Sequence, residues 1–563
     1  MRFKPVHLFL IFFLLNLVQA SFTPIARDEA YYWMFGQHLD WGYFDHPPFV
    51  ALMTYLGSAL FNGVLGVRFL TLIMATTTAY FIWLLIPESN RQNHRSLLVF
   101  SLVFLANPLF NLYGFITTPD APLLFFSAAY FLAFQRFTKN QSFLNSLLLG
   151  FLMSALIYSK YHGILVILIS VLSHIQLFKK PWIYVSAFVG VVLYTPHLIW
   201  QYDHHFVSFN YHLFYRSTRF DVLNILDYLL NLVLVLNPVM LPFFIAGIRK
   251  TRGFIQSRLL TSIFWGFFLF FLLTSARGHV EPHWMAIACI PYTIQLVNYI
   301  TVDEGLWKKI KLAGIFSIAI ISILRIVAFL PLPIKSEFHV EKKEYFDAIK
   351  ERAEGRKVVF VNSYTDAAKY SFYTGENTFS YNFISFRKNQ YDLLDVQNEF
   401  HMKRVMLTFK GSLKRFDEQL VNKREAFYYN YYDSFPVLNN IHVEVLDYPT
   451  EVIKGSRNKI RLRVTNPYDH QVVFKPTGFP VLWELFYFYM DKERQGGVSL
   501  EEVPISIMDA HSEIIVNAYF VNDLPTGQYT FGITIRPSGL FPISVSKRTH
   551  PIRIVSASQS QKP

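Results

Sequence analysis

The chain has 563 residues, with 52 Lys and Arg against 39 Asp and Glu, and its net charge is +13. Hydrophobic residues make up 52% of the chain and charged residues only 16%, whereas a soluble domain averages about 25% charged residues. This composition excludes a disordered chain, a coiled coil and an ordinary soluble enzyme of this size, and it predicts a membrane protein. The single cysteine, Cys289, excludes a disulfide framework and a Cys-rich metal site.

Apolar segments recur along residues 1–333 at roughly 20-residue spacing, the length that a helix needs to cross a membrane. The first segment ends in LVQAS, which has the form of a signal-peptidase site, but we favour a retained helix. Residues 49–65 are apolar enough for an interfacial helix or a short extra span. The pattern predicts about eleven spans, near 6–20, 65–86, 97–110, 121–136, 143–157, 163–178, 182–199, 223–247, 259–275, 284–300 and 312–333.

The basic residues predict the orientation of these spans. Residues 1–333 contain 22 basic and 12 acidic residues, and 15 of the basic ones lie at the N-terminus and in alternate short loops. The positive-inside rule places that side in the cytoplasm, so with eleven spans the C-terminal part lies outside it. Since topology accounts for the basic loops, and no zinc-finger or RNA-binding motif is present, we exclude a nucleic-acid partner. No P-loop, Rossmann glycine pattern or G-x-S-x-G motif appears, so we expect no nucleotide cofactor.

The outer side collects ionisable residues in short turns directly against apolar segments. Such groups are costly at membrane level, so their clustering on one side predicts a functional site. The candidates are Asp28, Glu29, Asp45, His46, Asp120, Lys160, Tyr161, His162, Arg277, His279, Glu281 and His283.

Several candidates also have a purely structural interpretation. The pair Asp28-Glu29 suits the N-terminus of a helix over residues 30–37. The two prolines after Asp45-His46 fix the chain before a helix, and Lys160 has the reach to snorkel to the interface. The set His279, Glu281 and His283 has metal-binding residue types, but isolated histidines near a membrane interface are usually structural.

The ordered motifs DEAYYW, GYFDHPP, TPDAPLLFF, SKY and HVEPHW resemble the bacterial branch of glycosyltransferase family 39. This family belongs to the GT-C class and includes relatives of protein O-mannosyltransferases and of the aminoarabinose transferase that modifies lipid A. The resemblance covers the membrane part and extends to about residue 440. It implies a multi-spanning GT-C fold and an inverting transfer of a sugar from a polyprenyl-phosphate donor to an acceptor hydroxyl at the outer membrane face.

The resemblance also implies roles for individual residues. Asp28, with Glu29 beside it, matches the general base, and Asp120 matches a second acid near the acceptor or a metal. Lys160 matches a lysine at the lipid phosphate, and spacing alone adds Arg277. Candidate substrate contacts are Asp45, His46, Tyr161, His162 and His283. Some members bind a divalent metal ion, for which Asp28, Asp120, His279 and Glu281 are the candidate ligands here.

We expect a bacterial inner-membrane protein whose partners are membrane lipids, the lipid-linked donor and a glycan, lipid or protein acceptor. The sequence does not identify the sugar or the acceptor. A non-enzymatic flippase or transporter of lipid-linked sugars is the alternative. A transporter more often carries paired half-helices with ionisable groups near the midplane, and the sequence shows no such pair, so the ordered acidic motifs favour the transferase.

The remainder of the chain has the pattern of a soluble protein. Residues 334–440 combine a helical pattern at 345–353 with the short strands KVVFVNS and RVMLTF, which predicts a small extracytoplasmic α/β segment. Residues 441–563 contain seven short alternating strands, typical of an immunoglobulin-like β-sandwich without the Cys…Trp…Cys core. This third domain would bind an acceptor, a glycan or a partner, or would act as a stabilising cap.

Overall fold

The computed structural model describes residues 4–93, 95–215, 220–250, 257–302, 304–330, 338, 341–384, 386–411, 416–421, 425–474, 480–489, 494–537, 539–546 and 550–556. The chain forms two compact units, Met1–Lys342 and Lys343–Pro563.

The first unit is helical. Its α-helices are α1 (Pro5–Phe22), α2 (Arg27–Gln37), α3 (Phe49–Leu60), α4 (Gly63–Leu85), α5 (Glu88–Arg91), α6 (Ser96–Leu105), α7 (Pro108–Leu112), α8 (Asp120–Lys139), α9 (Phe143–Ser159), α10 (Gly163–Ser173), α11 (Pro181–Asp203), α12 (Val207–Asn210), α13 (Val222–Val235), α14 (Leu241–Lys250), α15 (Arg258–Ser275), α16 (Cys289–Val302) and α17 (Trp307–Phe329). Among the described residues, α1, α4, α11, α15 and α17 are long and apolar enough to cross a membrane by length and composition. Over the described residues, every predicted span overlaps one or two of these helices, while the number of crossings stays a prediction. Residues 331–333 of the last predicted span lie outside the described residues.

Two predicted spans are interrupted by Asn-Pro pairs. The segment 223–247 divides into α13 and α14 around Asn237, whose backbone is left-handed with φ 63° and whose amide donates to the Ala106 carbonyl at 2.7 Å. The segment 97–110 divides into α6 and α7 because the Asn107 side chain caps α7, accepting from the Leu109 N–H at 3.0 Å. Proline cannot donate a helical hydrogen bond, so Pro108 is the first residue of α7 and the pair Asn237-Pro238 lies in the turn between α13 and α14.

Small residues bring α9 and α11 into close contact. A Cβ atom on Gly150 would lie 2.5 Å from the Ser186 carbonyl oxygen, and one on Gly190 would lie 3.3 Å from the Gly150 carbonyl oxygen. Small residues at such a crossing let two membrane helices approach closely. This packing fixes the C-terminal end of α9, where Lys160 follows.

The second unit begins with an α/β part. It contains the helices α18 (Lys343–Ala353) and α19 (Tyr364–Thr374) and the strands β1 (Lys357–Val361), β2 (Ser380–Tyr381), β3 (Lys403–Phe409), β4 (Asp417–Leu420) and β5 (Ala426–Phe435). The sheet has the order β2-β1-β3-β5-β4. Strand β1 is parallel to β2 and β3, and β5 is antiparallel to β3 and β4.

The rest of the second unit is β-rich. Its strands are β6 (His442–Asp447), β7 (Glu451–Ile453), β8 (Arg457–Thr465), β9 (Val472–Val473), β10 (Val481–Tyr489), β11 (Arg494–Ser499), β12 (Ile507–Met508), β13 (Glu513–Val521), β14 (Gly527–Pro537), β15 (Ile543–Ser544) and β16 (His550–Val555). One sheet has the order β11-β10-β14-β16-β7, a second has the order β13-β8-β6, and β9 pairs with β12. Buried and exposed residues alternate along β8, as in a sheet that covers a core on one side. The immunoglobulin-like assignment stays a prediction.

Candidate functional site

Asp120 and Lys160 form a buried ion pair where two helices meet. Asp120 is the first residue of α8, and Lys160 directly follows the last residue of α9. The Lys160 Nζ lies 2.8 Å from both Asp120 carboxylate oxygens. Lys160 is 7% exposed and Asp120 is 3% exposed. Buried charges need such pairing, since an unpaired charge in an apolar setting is strongly unfavourable. Two residues predicted separately therefore form one unit.

Two histidines lie beside this pair. The His283 Nε2 lies 3.7 Å from Asp120 Oδ2, and the His283 ring has an edge contact with Tyr113 at a centroid distance of 6.1 Å. His46 is an electrostatic neighbour of the same carboxylate. We call Asp120, Lys160, His46 and His283 the Asp120 cluster.

The loop before α3 positions His46. The Asp45 Oδ1 lies 3.0 Å from the His46 Nδ1, and Asp45 is 4% exposed. The His212 Nε2 donates to the Asp45 carbonyl oxygen at 2.9 Å, and the His46 ring has an edge contact with Tyr32 at 5.3 Å. Pro47 and Pro48 follow and lead into α3, so the motif fixes the chain and also brings His46 to the Asp120 cluster.

Tyr161 is held by a polar network on α11. Its hydroxyl lies 3.2 Å from the His197 Nε2 and accepts from the Gln201 Nε2 at 3.0 Å. Asp45 is an electrostatic neighbour of Tyr161. His162 instead packs between Phe271 and Trp284, at ring distances of 5.5 and 4.7 Å. Tyr161 therefore lies near Asp45, whereas His162 lies in an aromatic contact.

Glu29 forms a second buried ion pair, with Arg68 of α4. The Arg68 Nε donates to Glu29 Oε1 at 2.8 Å, and both side chains are fully buried. The carboxylate also accepts from the Thr117 N–H at 2.8 Å and from the Ala26 N–H at 2.9 Å. Asp28, one residue earlier on the same turn, is exposed. Successive helical residues point about 100° apart, which separates the two acids.

Arg68 was not among the candidate residues predicted from the sequence. It also donates to the carbonyl oxygens of Ala20, Thr23 and Pro24, at 3.0, 2.7 and 3.0 Å. Together with the Glu29 ion pair, these bonds join α1, α2 and α4. An arginine inside an apolar segment is rare without a partner, and that signal was available in the sequence.

Arg277, His279 and Glu281 lie in the turn after α15. Arg277 is exposed, and the half-exposed His279 lies 3.1 Å from Asp227 and 3.6 Å from Glu281. Over the described residues, no group of three or more His, Cys, Asp and Glu side chains is arranged to hold a metal ion. The four predicted ligands are therefore not gathered into one set, and we assign no reaction step to a metal.

Comparisons with known proteins bear on the family and the fold of the chain. Residues 45–200 match the family of dolichyl-phosphate-mannose-protein mannosyltransferases, a stretch that includes Asp45, His46, Asp120 and Lys160. No curated protein matches the chain.

Among solved structures, ArnT from Cupriavidus metallidurans in the apo state has a TM-score of 0.54 and 13% identity, covering 75% of this chain and 97% of ArnT. ArnT bound to undecaprenyl phosphate has a TM-score of 0.55 and 12% identity, with the same coverage. These matches agree with the family resemblance of the motifs: the chain is an integral membrane protein with the fold of ArnT, and its residues 45–200 match the mannosyltransferase family.

Proposed function

We propose that the chain transfers a sugar, with inversion, from a polyprenyl-phosphate donor to an acceptor hydroxyl at the extracytoplasmic membrane face. The observation that carries the proposal is the Asp120 cluster, a buried ammonium with carboxylate and imidazole groups at the ends of membrane helices. The ArnT relative with the same fold binds undecaprenyl phosphate, which supports a lipid phosphate as the donor's leaving group.

Lys160 is the proposed contact to that phosphate. An ammonium has three N–H donors, and two of them are directed at the Asp120 oxygens. The third is available to a phosphate oxygen, and Asp120 holds the ammonium in place. Negative charge grows on the lipid phosphate as the glycosidic bond breaks, so a cation fixed beforehand in a water-poor site stabilises the transition state.

The neighbouring side chains supply further donor and substrate contacts. His283 and His46 provide imidazole N–H groups beside the carboxylate, and Arg277 would add a second cation from the exposed turn after α15. Asp45, Tyr161 and His162 are the remaining proposed substrate contacts.

Asp28 is the proposed general base. The sealed Glu29 fixes the first turn of α2, while the carboxylate of Asp28 stays exposed. The base takes the proton of the acceptor hydroxyl as the oxygen attacks the anomeric carbon from the side opposite the phosphate. The leaving group departs as a phosphate monoester anion with a low pKa, so the reaction needs no acid to protonate it.

Mass spectrometry of envelope glycans, glycolipids and glycoproteins tests the proposal. We compare cells with the gene, cells without it and cells with Asp28→Asn, and we expect a sugar modification only in the first. Asp203→Asn is the matched control, because Asp203 is an exposed acid at the end of α11. Identical profiles with and without the gene would refute the transferase. An active Asp28→Asn protein would refute only the base.

A further inference from the structure

The outer face of the three-stranded sheet β13-β8-β6 carries a cavity of about 660 Å³. Its volume lies within the range of small-molecule sites, about 300–1,000 Å³. The lining includes Asp447, Tyr448, Lys459, Arg461, Ile515 and Asn517. All six residues belong to the second unit.

Three of these polar residues form one row across the sheet. Asp447 of β6 is the register partner of Arg461 of β8, which in turn is the partner of Asn517 of β13. The β8 neighbours of Arg461, Ile460 and Leu462, are fully buried. Since successive strand residues point to opposite faces, the row points outward on a rigid sheet.

The cations in the cavity differ from the other cations on the same face of β8. Arg457 pairs with Glu502 at 2.6 Å, and Arg463 pairs with Glu513 at 3.0 Å. Lys459 and Arg461 lie between these two arginines, and no described carboxylate lies within 4.0 Å of either. The cavity therefore holds two cations against the single carboxylate of Asp447, an excess of positive charge on a face whose other cations are in ion pairs.

Tyr448 lines the cavity, and its ring is packed against two other aromatic rings. It makes edge contacts with Phe531 and His550, at centroid distances of 5.1 and 5.5 Å. These contacts hold the ring before any ligand arrives, which lowers the entropic cost of binding. Ile515 adds a second apolar surface, and Asn517 and Asp447 present hydrogen-bonding groups.

We propose that this cavity binds a sugar unit that carries an anionic group, either a uronate carboxylate or a phosphate. Lys459 and Arg461 bind the anion, Asn517 and Asp447 bond to hydroxyl groups, and Tyr448 and Ile515 contact the C–H face of the ring. Concavity and the Asp447 carboxylate disfavour a flat anionic lipid surface. The site does not rest on the proposed function, since its residues take no part in the transfer reaction.

Isothermal titration of the full chain in detergent tests the site. The ligands are digalacturonate, glucose 1-phosphate, the neutral disaccharide cellobiose and inorganic phosphate. We expect one anionic sugar to bind, and which one binds identifies the anion. Lys459→Ala with Arg461→Ala should weaken that binding at least about tenfold, while Arg457→Ala with Arg463→Ala, on the same strand face, should leave it unchanged.

The other outcomes overturn the proposal. It fails if neither anionic sugar binds, if cellobiose or inorganic phosphate binds as tightly as the anionic sugar, or if the two double variants lose affinity equally. The substituted side chains face outward, so all forms should share one melting temperature, which is checked beside each titration. Sugar transfer measured in the same preparations separates failure of this site from failure of the transferase.

Discussion

Lys160 and Asp120 each have a role only because the other is present. Both are buried, and the two 2.8 Å contacts balance one charge against the other. Removing one partner of a buried pair leaves an uncompensated charge, whereas removing both charges is often tolerated. This difference separates structural effects from functional ones.

We expect Lys160→Ala to destabilise the protein by about 3–5 kcal/mol, because Asp120 stays buried without its partner. Lys160→Met combined with Asp120→Asn should recover most of that stability but not the transfer of sugar. Thermal unfolding and a transfer assay on the same preparations measure the two effects. Transfer in the double variant at the wild-type rate would show that the pair is only structural.

The sequence was informative about single residues but not about their pairing. Asp120 and Lys160 stood out as ionisable groups against apolar helices. Their contact joins residues separated by 40 positions, and hydropathy patterns carry no such distance information. The resemblance assigned the base to Asp28 and placed Glu29 beside it, but it did not predict that Arg68 pairs with Glu29.

At the level of elements, the crossing of α9 and α11 controls where Lys160 lies. Gly150 lets the two helices approach closely, because its missing side chain makes room for the Ser186 carbonyl oxygen. Asp120, the partner of Lys160, begins the neighbouring helix α8, and Gln201 of the Tyr161 network lies on α11. A larger side chain at position 150 should therefore displace Lys160, because Lys160 directly follows the last residue of α9.

We expect Gly150→Val to force α9 and α11 apart and to destabilise the protein by about 1–3 kcal/mol, as overpacking does. Donor binding should weaken with it, since Lys160 lies at the end of α9. Leu148→Val is the matched control, because Leu148 on the same helix is 42% exposed. Equal melting temperatures for the two variants would contradict the close crossing.

In the second unit, His401 connects the α/β part to the β-rich part. Its ring lies 4.2 Å from the His470 ring, and its Nδ1 accepts from the Val437 N–H at 3.2 Å. Burial, with a smaller contribution from His470, lowers the pKa of His401 to about 4. The folded unit therefore holds this imidazole neutral.

The lowered pKa predicts acid sensitivity of the second unit. The unfolded chain binds this proton near the ordinary pKa of 6.5 and the folded chain only near 4, so stability is lost as pH falls through that interval. His401→Gln should reduce the loss, while His511→Gln, at an exposed histidine, should not. Scanning calorimetry of the full chain at pH 7.5 and 5 measures it. An identical pH dependence for wild type and His401→Gln would exclude His401 as the cause.

At the scale of the whole molecule, hydropathy predicted where the helices lie along the chain, and the motifs predicted the fold. The breaks at Asn107 and Asn237 were missed because both interrupted segments remain apolar throughout. Their Asn-Pro pairs were a visible signal, but the caps and the bond to Ala106 that use them are tertiary features. The cavity on β6, β8 and β13 was equally out of reach, because strand pairing creates it.

The most direct test of the lipid-phosphate site is native mass spectrometry of the purified chain with undecaprenyl phosphate. We predict a one-to-one complex for the wild type and for Asp203→Asn. We predict its loss for Lys160→Met with Asp120→Asn, a variant that keeps its fold but has no ammonium at the proposed phosphate contact. Equal retention of undecaprenyl phosphate by all three forms would contradict a donor site at the Asp120 cluster.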